Sequence, residues 1–174
     1  MKLFCAADSV PEPGPPAEPG RIAATLRGQM RVLGLDLGSK RIGLAVSDLD
    51  AHIAFPAGTL PSTGRKADVA AVCELIAERA IGSVVVGLPR HMDGRRGLEA
   101  IAAEKFAAAL RKASGVPVET LDERWTSLEA ERALLDQGRK PSRNRAQVDE
   151  IAAAILLRTY LELSRGARGS GSQD

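Results

Sequence analysis

After Met30 the apolar and polar positions fall into short, well-separated blocks. "RVLGLDL" (31–37) and "RIGLAVS" (41–47) are β-rich runs joined by Gly-Ser-Lys. They predict a hairpin in which Gly38 supplies a positive φ. A third run, about His52–Leu60, contains Pro56. Proline cannot donate to a ladder, so this run is expected at a sheet edge. Arg65–Ala80 carries an apolar stripe through Val69, Val72, Cys73 and Ile76 and predicts a helix. "SVVVGLP" (83–89) is continuously apolar and predicts a strand buried on both faces, ended by Gly87 and Pro89. The Ala-rich segment Leu98–Ala113 predicts a second helix, and "VPVETLD" (116–122) another strand. "TSLEAERALLDQG" opens with a capping box, Thr126 with Glu129, and stops at Gly138. Val148–Ser164 predicts the last helix, with Ile151, Ile155 and Leu156 on one side. No internal repeat is present. The order of elements predicts an α/β fold, one mixed five-stranded sheet with helices on its faces.

The two ends stand apart. Residues 1–29 include "SVPEPGPPAEPGR", dense in Pro and Gly and without a period, and are expected to be a disordered tail. "MKLFCAA" is shorter than the roughly 7–15 apolar residues of a signal-peptide core. Met30 is itself a candidate initiator, and residues before it are expected to be dispensable for folding. The expected organisation is thus a tail (1–29), a single domain (30–164) and a flexible C-terminal tail (165–174, "RGARGSGSQD").

Composition narrows the partners. The 174 residues are 44% hydrophobic but only 3% aromatic, so Ala, Leu, Ile and Val must build the core. With a net charge of +2, any polyanion has to be met by a local basic patch. No apolar run approaches the roughly 20 residues of a membrane span, so no membrane partner is expected. Cys5 and Cys73 form no framework or metal-ligand pair, which fits a cytoplasmic location; Cys73 is expected as a small buried hydrophobe.

Within the first strand, Asp36 interrupts an apolar run. A lone buried charge costs several kcal/mol, so Asp36 either ends the strand as a turn residue or holds a cation with other carboxylates. In an extended strand it shares a face with Val32 and Gly34. The partner run presents a similar small-residue row, Gly43, Ala45 and Ser47. A face with so little side chain admits close approach by a helix or ligand. On the last helix Asp149 is followed at i+3 and i+4 by Ala152 and Ala153, so its own face is nearly bare too. "LDERW" places Asp122 or Glu123 at a strand end. Three carboxylates of this kind suit Mg²⁺ or Mn²⁺ with oxygen ligands.

The blocks "VLGLDLGSKRIGLAVSD", "VVVGLPRHMDGRRG", "LDERWTS" and "VDEIAAAILLRTYL" resemble the four signature blocks of the YqgF (RuvX) family, in order and spacing, from about Arg31 to Leu163. The family comprises bacterial ribonuclease H-like nucleases, described as Holliday-junction resolvases and as maturation nucleases for precursor 16S ribosomal RNA. The resemblance implies a ribonuclease H-like mixed five-stranded sheet with helices on both faces. It places Asp36, Glu123 and Asp149 on the acidic, metal-holding positions, with Mg²⁺ or Mn²⁺ as cofactor. Glu150 stands where the family often has Gln and is not counted as a ligand.

Two hard cations roughly 3.5–4 Å apart in such a site activate water and stabilise the leaving oxygen of a phosphodiester. Basic residues should hold the flanking phosphates. Candidates are Lys40 and Arg41 in the hairpin, Arg90, Arg95 and Arg96 in "RHMDGRR", Arg124, and Arg139, Lys140, Arg143 and Arg145 in "GRKPSRNR". Trp125 is read as packing and His91 as an exposed loop residue. Three function classes compete: a metal-dependent endonuclease, a nucleic-acid-binding factor with little catalysis, and an actin-like nucleotide-binding protein. The last needs a second such domain and a second Asp-x-Gly block, which this chain lacks. The endonuclease is preferred, on precursor ribosomal RNA or branched DNA recognised by shape. Nothing marks a dimer face, so a monomer or weak homodimer and the RNA role are expected.

Overall fold

The computed structural model describes residues 30–89, 97–122 and 145–169. The expected tail 1–29 and the helix opening at Thr126 lie outside them. Strands β1 (Arg31–Leu37) and β2 (Arg41–Ser47) form the expected hairpin. β3 (Ala54–Pro61) follows, then α1 (Arg65–Glu78), β4 (Ile81–Leu88), α2 (Leu98–Ser114), β5 (Val118–Asp122) and α3 (Arg145–Gly169). The sheet order is β3-β2-β1-β4-β5, antiparallel across β1–β2–β3 and parallel across β1–β4–β5.

Each strand's alternation sends its two rows of side chains into different cores. Leu33 and Leu35 of β1, Ile42, Leu44 and Val46 of β2, and Val84 and Val86 of β4 pack with Val69, Val72 and Ile76 of α1 and with Phe106 and Leu110 of α2. Val32, Ala45 and Val85 face the other way, onto Ala153, Leu157, Tyr160 and Leu161 of α3. Helices therefore cover both faces, and every residue of β4 is buried, as its unbroken apolar run predicts. Cys73 is half-buried against the first of these cores.

Three local expectations are refined. Pro56 does sit on an edge strand, opposite Ala45, next to a register shift between Leu44 and Ala45. Gly38 does not take a positive φ. Its role is room: a Cβ there would lie 2.7 Å from the Arg41 carbonyl oxygen, which accepts the Gly38 N–H at 2.9 Å and closes the turn. The last helix runs beyond Val148–Ser164 at both ends. Ser164 Oγ donates to the Tyr160 carbonyl (2.8 Å) and Arg165 Nε to that of Leu161 (3.4 Å), so polar side chains there stay within helical hydrogen bonding. The buried carboxylate of Asp68 is fully engaged. It accepts Ser62 Oγ (2.8 Å) and the Thr63 and Gly64 amides (2.9 and 3.3 Å), locking the turn into α1.

Candidate active site

β1 is central, and β4, parallel beside it, and β5, parallel beyond β4, end at the same edge of the sheet. Ligand sites in α/β sheets gather at such carboxyl ends. Asp36 stands there, on the α3 face with Val32 and Gly34. Across the antiparallel ladder it is opposite Gly43. One step past the Leu35–Val86 pair, Gly87 lies beside it on β4. Asp36 is thus flanked by glycine on both sides, a carboxylate in a gap of the sheet surface.

α3 comes down into that gap. A Cβ on Gly43 would lie 2.1 Å from the Asp149 carbonyl oxygen and 3.4 Å from Ala153 Cβ. One on Gly34 would lie 2.9 Å from Leu157 Cβ and 3.2 Å from the Ala153 carbonyl oxygen. The small rows of β1 and β2, with the buried Ala153, set how closely the helix approaches. This contact delivers Asp149 to Asp36. The helix stripe that meets the sheet is Ala153, Leu157, Tyr160 and Leu161. Of the side expected to pack, Ile155 and Leu156 are buried and Ile151 is half-buried.

The two carboxylates feel each other. Burial first, and then the charge of Asp149, push the Asp36 carboxyl up from 3.8 to about 6. Arg41 Nη1 lies 3.9 Å from Asp149 Oδ2, both side chains being partly exposed. Arg41 alternates with Gly43 along β2 and so shares the α3 face. That period-two relation was the sequence signal for this pair, which the phosphate reading of Arg41 passed over. Lys40 is exposed in the turn, its carbonyl accepting the Ser62 amide at 3.0 Å.

A raised acid makes stability pH-dependent. The folded protein binds a proton at Asp36 near pH 6, the unfolded chain near 3.8. Between these values the native state holds more protons, so stability falls as pH rises through the window. At roughly 1.4 kcal/mol per pKa unit, the loss in metal-free protein should reach about 2–3 kcal/mol. Urea unfolding from pH 4 to 7 should show it in the wild type and not in Asp36→Asn; parallel curves for the two proteins would refute it.

β5 carries Glu119 and Leu121 on the α3 face: Tyr160 Oη donates to Glu119 Oε2 at 3.4 Å, and Leu121 packs on the α3 core. Asp122, the last residue of β5, alternates away from that face. Glu123 follows it and lies outside the described residues, as do Arg90, Arg95, Arg96, Arg124, Arg139, Lys140 and Arg143. Arg145 is the first residue of α3. Glu150 is one helical step, about 100°, from Asp149.

A second acidic group lies elsewhere. Ligand atoms of Asp48, Asp50 and His52, in the β2–β3 loop, are within 4.8 Å of one another. The Asp48 carboxylate accepts the Ile53 and His52 amides at 2.8 and 2.6 Å, which hold it below the usual range and fold the loop. A cavity of about 500 Å³ adjoins this loop, lined by Arg31, Ser47, Asp48, Phe55 and Arg79 among others. It lies at the far end of β2 from Arg41 and includes neither Asp36 nor Asp149. Among the described residues no helix is long and apolar enough to cross a membrane.

A mixed sheet of this order, with an aspartate at the end of its central strand and a second carboxylate delivered by a helix, defines a ribonuclease H-like fold. Two solved structures share it. Thermus thermophilus RuvC, in complex with a Holliday junction substrate, matches at TM-score 0.51 and 19% identity, over 83% of this chain and 98% of its own. The yeast mitochondrial Holliday junction resolvase Ydc2 matches at 0.52 and 12%, over 86% and 85%. The family model RuvX, described as Holliday junction resolvase, matches residues 30–163. A protein of Chloroflexus aggregans is 43% identical over 137 residues, 79% of this chain and 96% of its own. One from Anaeromyxobacter sp. is 44% identical over 133 residues, 76% and 97%. Both carry the provisional name pre-16S rRNA nuclease. The chain belongs to the RuvX family.

Proposed function

We propose that this protein is a metal-dependent endonuclease that trims the 5′ end of precursor 16S ribosomal RNA in the cytoplasm. The observation that carries the reading is the meeting of Asp36 and Asp149 over Gly43. The names of the Chloroflexus and Anaeromyxobacter relatives support the RNA substrate. The site fits a hard divalent cation, because its donors are carboxylate oxygens and Asp36 is already disfavoured as an anion, by burial first and then by Asp149. Asp36 and Asp149 would hold Mg²⁺ or Mn²⁺ together with Glu123. Support for Glu123 comes from its place in the block "LDERWTS", which follows β5 directly. β1 and β5 are separated by two strand spacings, about 10 Å, with Gly87 between them.

When bound, the cation supplies Lewis-acid stabilisation of the charge that builds on the phosphodiester. The chain's own residues position and hold. Asp36 is fixed by the central strand and Asp149 by the helix seated on Gly43. Lys40, Arg41, Arg90, Arg95, Arg96, Arg124, Arg139, Lys140, Arg143 and Arg145 would bind flanking phosphates, contacts that set register and carry no base sequence. Cutting one RNA strand needs no two-fold partner, so a monomer or weak homodimer suffices; paired cuts on a junction would require symmetry.

The family description and the fold neighbours make a four-way DNA junction the natural competitor. With Mg²⁺ or Mn²⁺ added, the protein is expected to release the 5′ leader from precursor 16S RNA and to leave a four-way junction of similar size largely intact. Symmetric paired nicks on the junction would transfer the reading to resolvase. Tight binding with no cleavage of either would make it a binding factor.

A further inference from the structure

Arg41 is placed to do more than touch phosphate. It is the first residue of β2, and its backbone is held on two sides. Its carbonyl accepts the Gly38 amide at 2.9 Å, and it pairs with Pro61 of β3. The side chain is not held in the same way. Among the described residues its ion pair is with Asp149, long at 3.9 Å, and the side chain is 41% exposed. A locked bidentate arginine–carboxylate pair would be near 2.7–2.9 Å. The guanidinium therefore rests on Asp149 with freedom to leave it.

We propose that Arg41 is the resident counter-cation of the Asp36–Asp149 pair and trades places with the divalent cation when nucleic acid binds, its guanidinium passing from Asp149 to a substrate phosphate. This rests on reading the pair as metal-holding. The charges drive the exchange. Two carboxylates carry −2, and Arg41 reduces this to −1. A divalent cation in the same place cancels both carboxylates, so Arg41 loses the negative charge that held it and stands beside an ion of its own sign. Arginine keeps its proton at every accessible pH, so it must move rather than neutralise. A phosphodiester is the matching acceptor, since the guanidinium fork fits phosphate oxygens bidentately. Metal and nucleic acid thereby favour each other's binding by the same factor, because linkage is reciprocal.

The test measures binding, by electron paramagnetic resonance of Mn²⁺ with the full chain and no nucleic acid. Partly exposed ion pairs are worth a factor of a few, and the doubly charged ion feels Arg41 more strongly. Arg41→Gln should tighten Mn²⁺ binding about three- to tenfold, and Arg41→Lys, which keeps the charge, should stay near wild type. Fluorescence anisotropy with a labelled precursor RNA, read on ice with Mn²⁺ or with EDTA, supplies the second arm. Mn²⁺ should strengthen RNA binding by the wild type, and both variants should lose most of that enhancement. Unchanged or weaker Mn²⁺ binding by Arg41→Gln, beside a wild-type site that Asp36→Asn removes, would overturn the exchange and leave the nuclease reading standing. If Asp36→Asn binds Mn²⁺ as the wild type does, the metal-holding pair itself is wrong and the exchange falls with it.

Discussion

Asp36→Asn is expected to abolish Mg²⁺- or Mn²⁺-dependent cleavage, slowing it about 10³-fold or more, while the protein stays folded. The amide keeps the size of the side chain and removes the charge that a cation requires. Loss of one principal electrostatic stabiliser costs roughly 10²–10³ in rate in other enzymes, and here the group lost also holds the metal. Folding should survive because the carboxylate is a liability without a cation: burial and Asp149 both disfavour its charge. Asp149→Asn should reduce cleavage to a similar degree. Metal-free binding of nucleic acid should persist in both, since the basic residues are untouched. Single-turnover cleavage, circular dichroism and a binding isotherm on the same preparations decide it. Intact cleavage by a poorly folded Asp36→Asn protein would make Asp36 a structural turn residue and end its assignment to the metal site.

Much of the site was visible in one dimension because a strand's period is two. Val32, Gly34 and Asp36 share a face by counting, and so do Gly43, Ala45 and Ser47. Small residues in both rows announced close approach, and Ala152 and Ala153 beside Asp149 announced what would approach. The strands β1 and β2 run as their apolar blocks predict, since hairpin register is local. What stayed hidden depends on how elements meet. Ile151 resembles Ala153 and Leu157 in hydropathy, and only the seating of α3 on two glycines selects the latter as the sheet-facing stripe. Gly38 invited a dihedral explanation because turns often need one, whereas its true constraint is the Arg41 carbonyl folded back on it. Arg41 looked like a phosphate contact for want of a partner; that partner is more than a hundred positions away in the chain and is brought near by the helix.

Gly43→Ala should be the most damaging change of a residue that bears no side chain. The added Cβ would stand 2.1 Å from the Asp149 carbonyl oxygen and 2.7 Å from its carbonyl carbon. Both are backbone atoms of a helix, so no flexible side-chain end can give way. α3 must lift by an ångström or more, or β2 must bend away. Overpacking of this kind costs typically 1–3 kcal/mol, and here the displaced atoms belong to a residue of the candidate site. A misplacement of about 1 Å in a catalytic arrangement costs on the order of 10² in rate. Gly43→Ala should therefore lower both urea stability and cleavage, in contrast to Asp36→Asn, which spares the fold. Gly34→Ala, whose nearest neighbour would be Leu157 Cβ at 2.9 Å, should be milder in both. Gly166→Ala, in open space on the same helix, should gain up to about 1 kcal/mol from helix propensity and leave cleavage alone. A Gly43→Ala protein with wild-type stability and wild-type cleavage would show that α3 does not seat on this position, and the delivery of Asp149 to Asp36 would have to be abandoned.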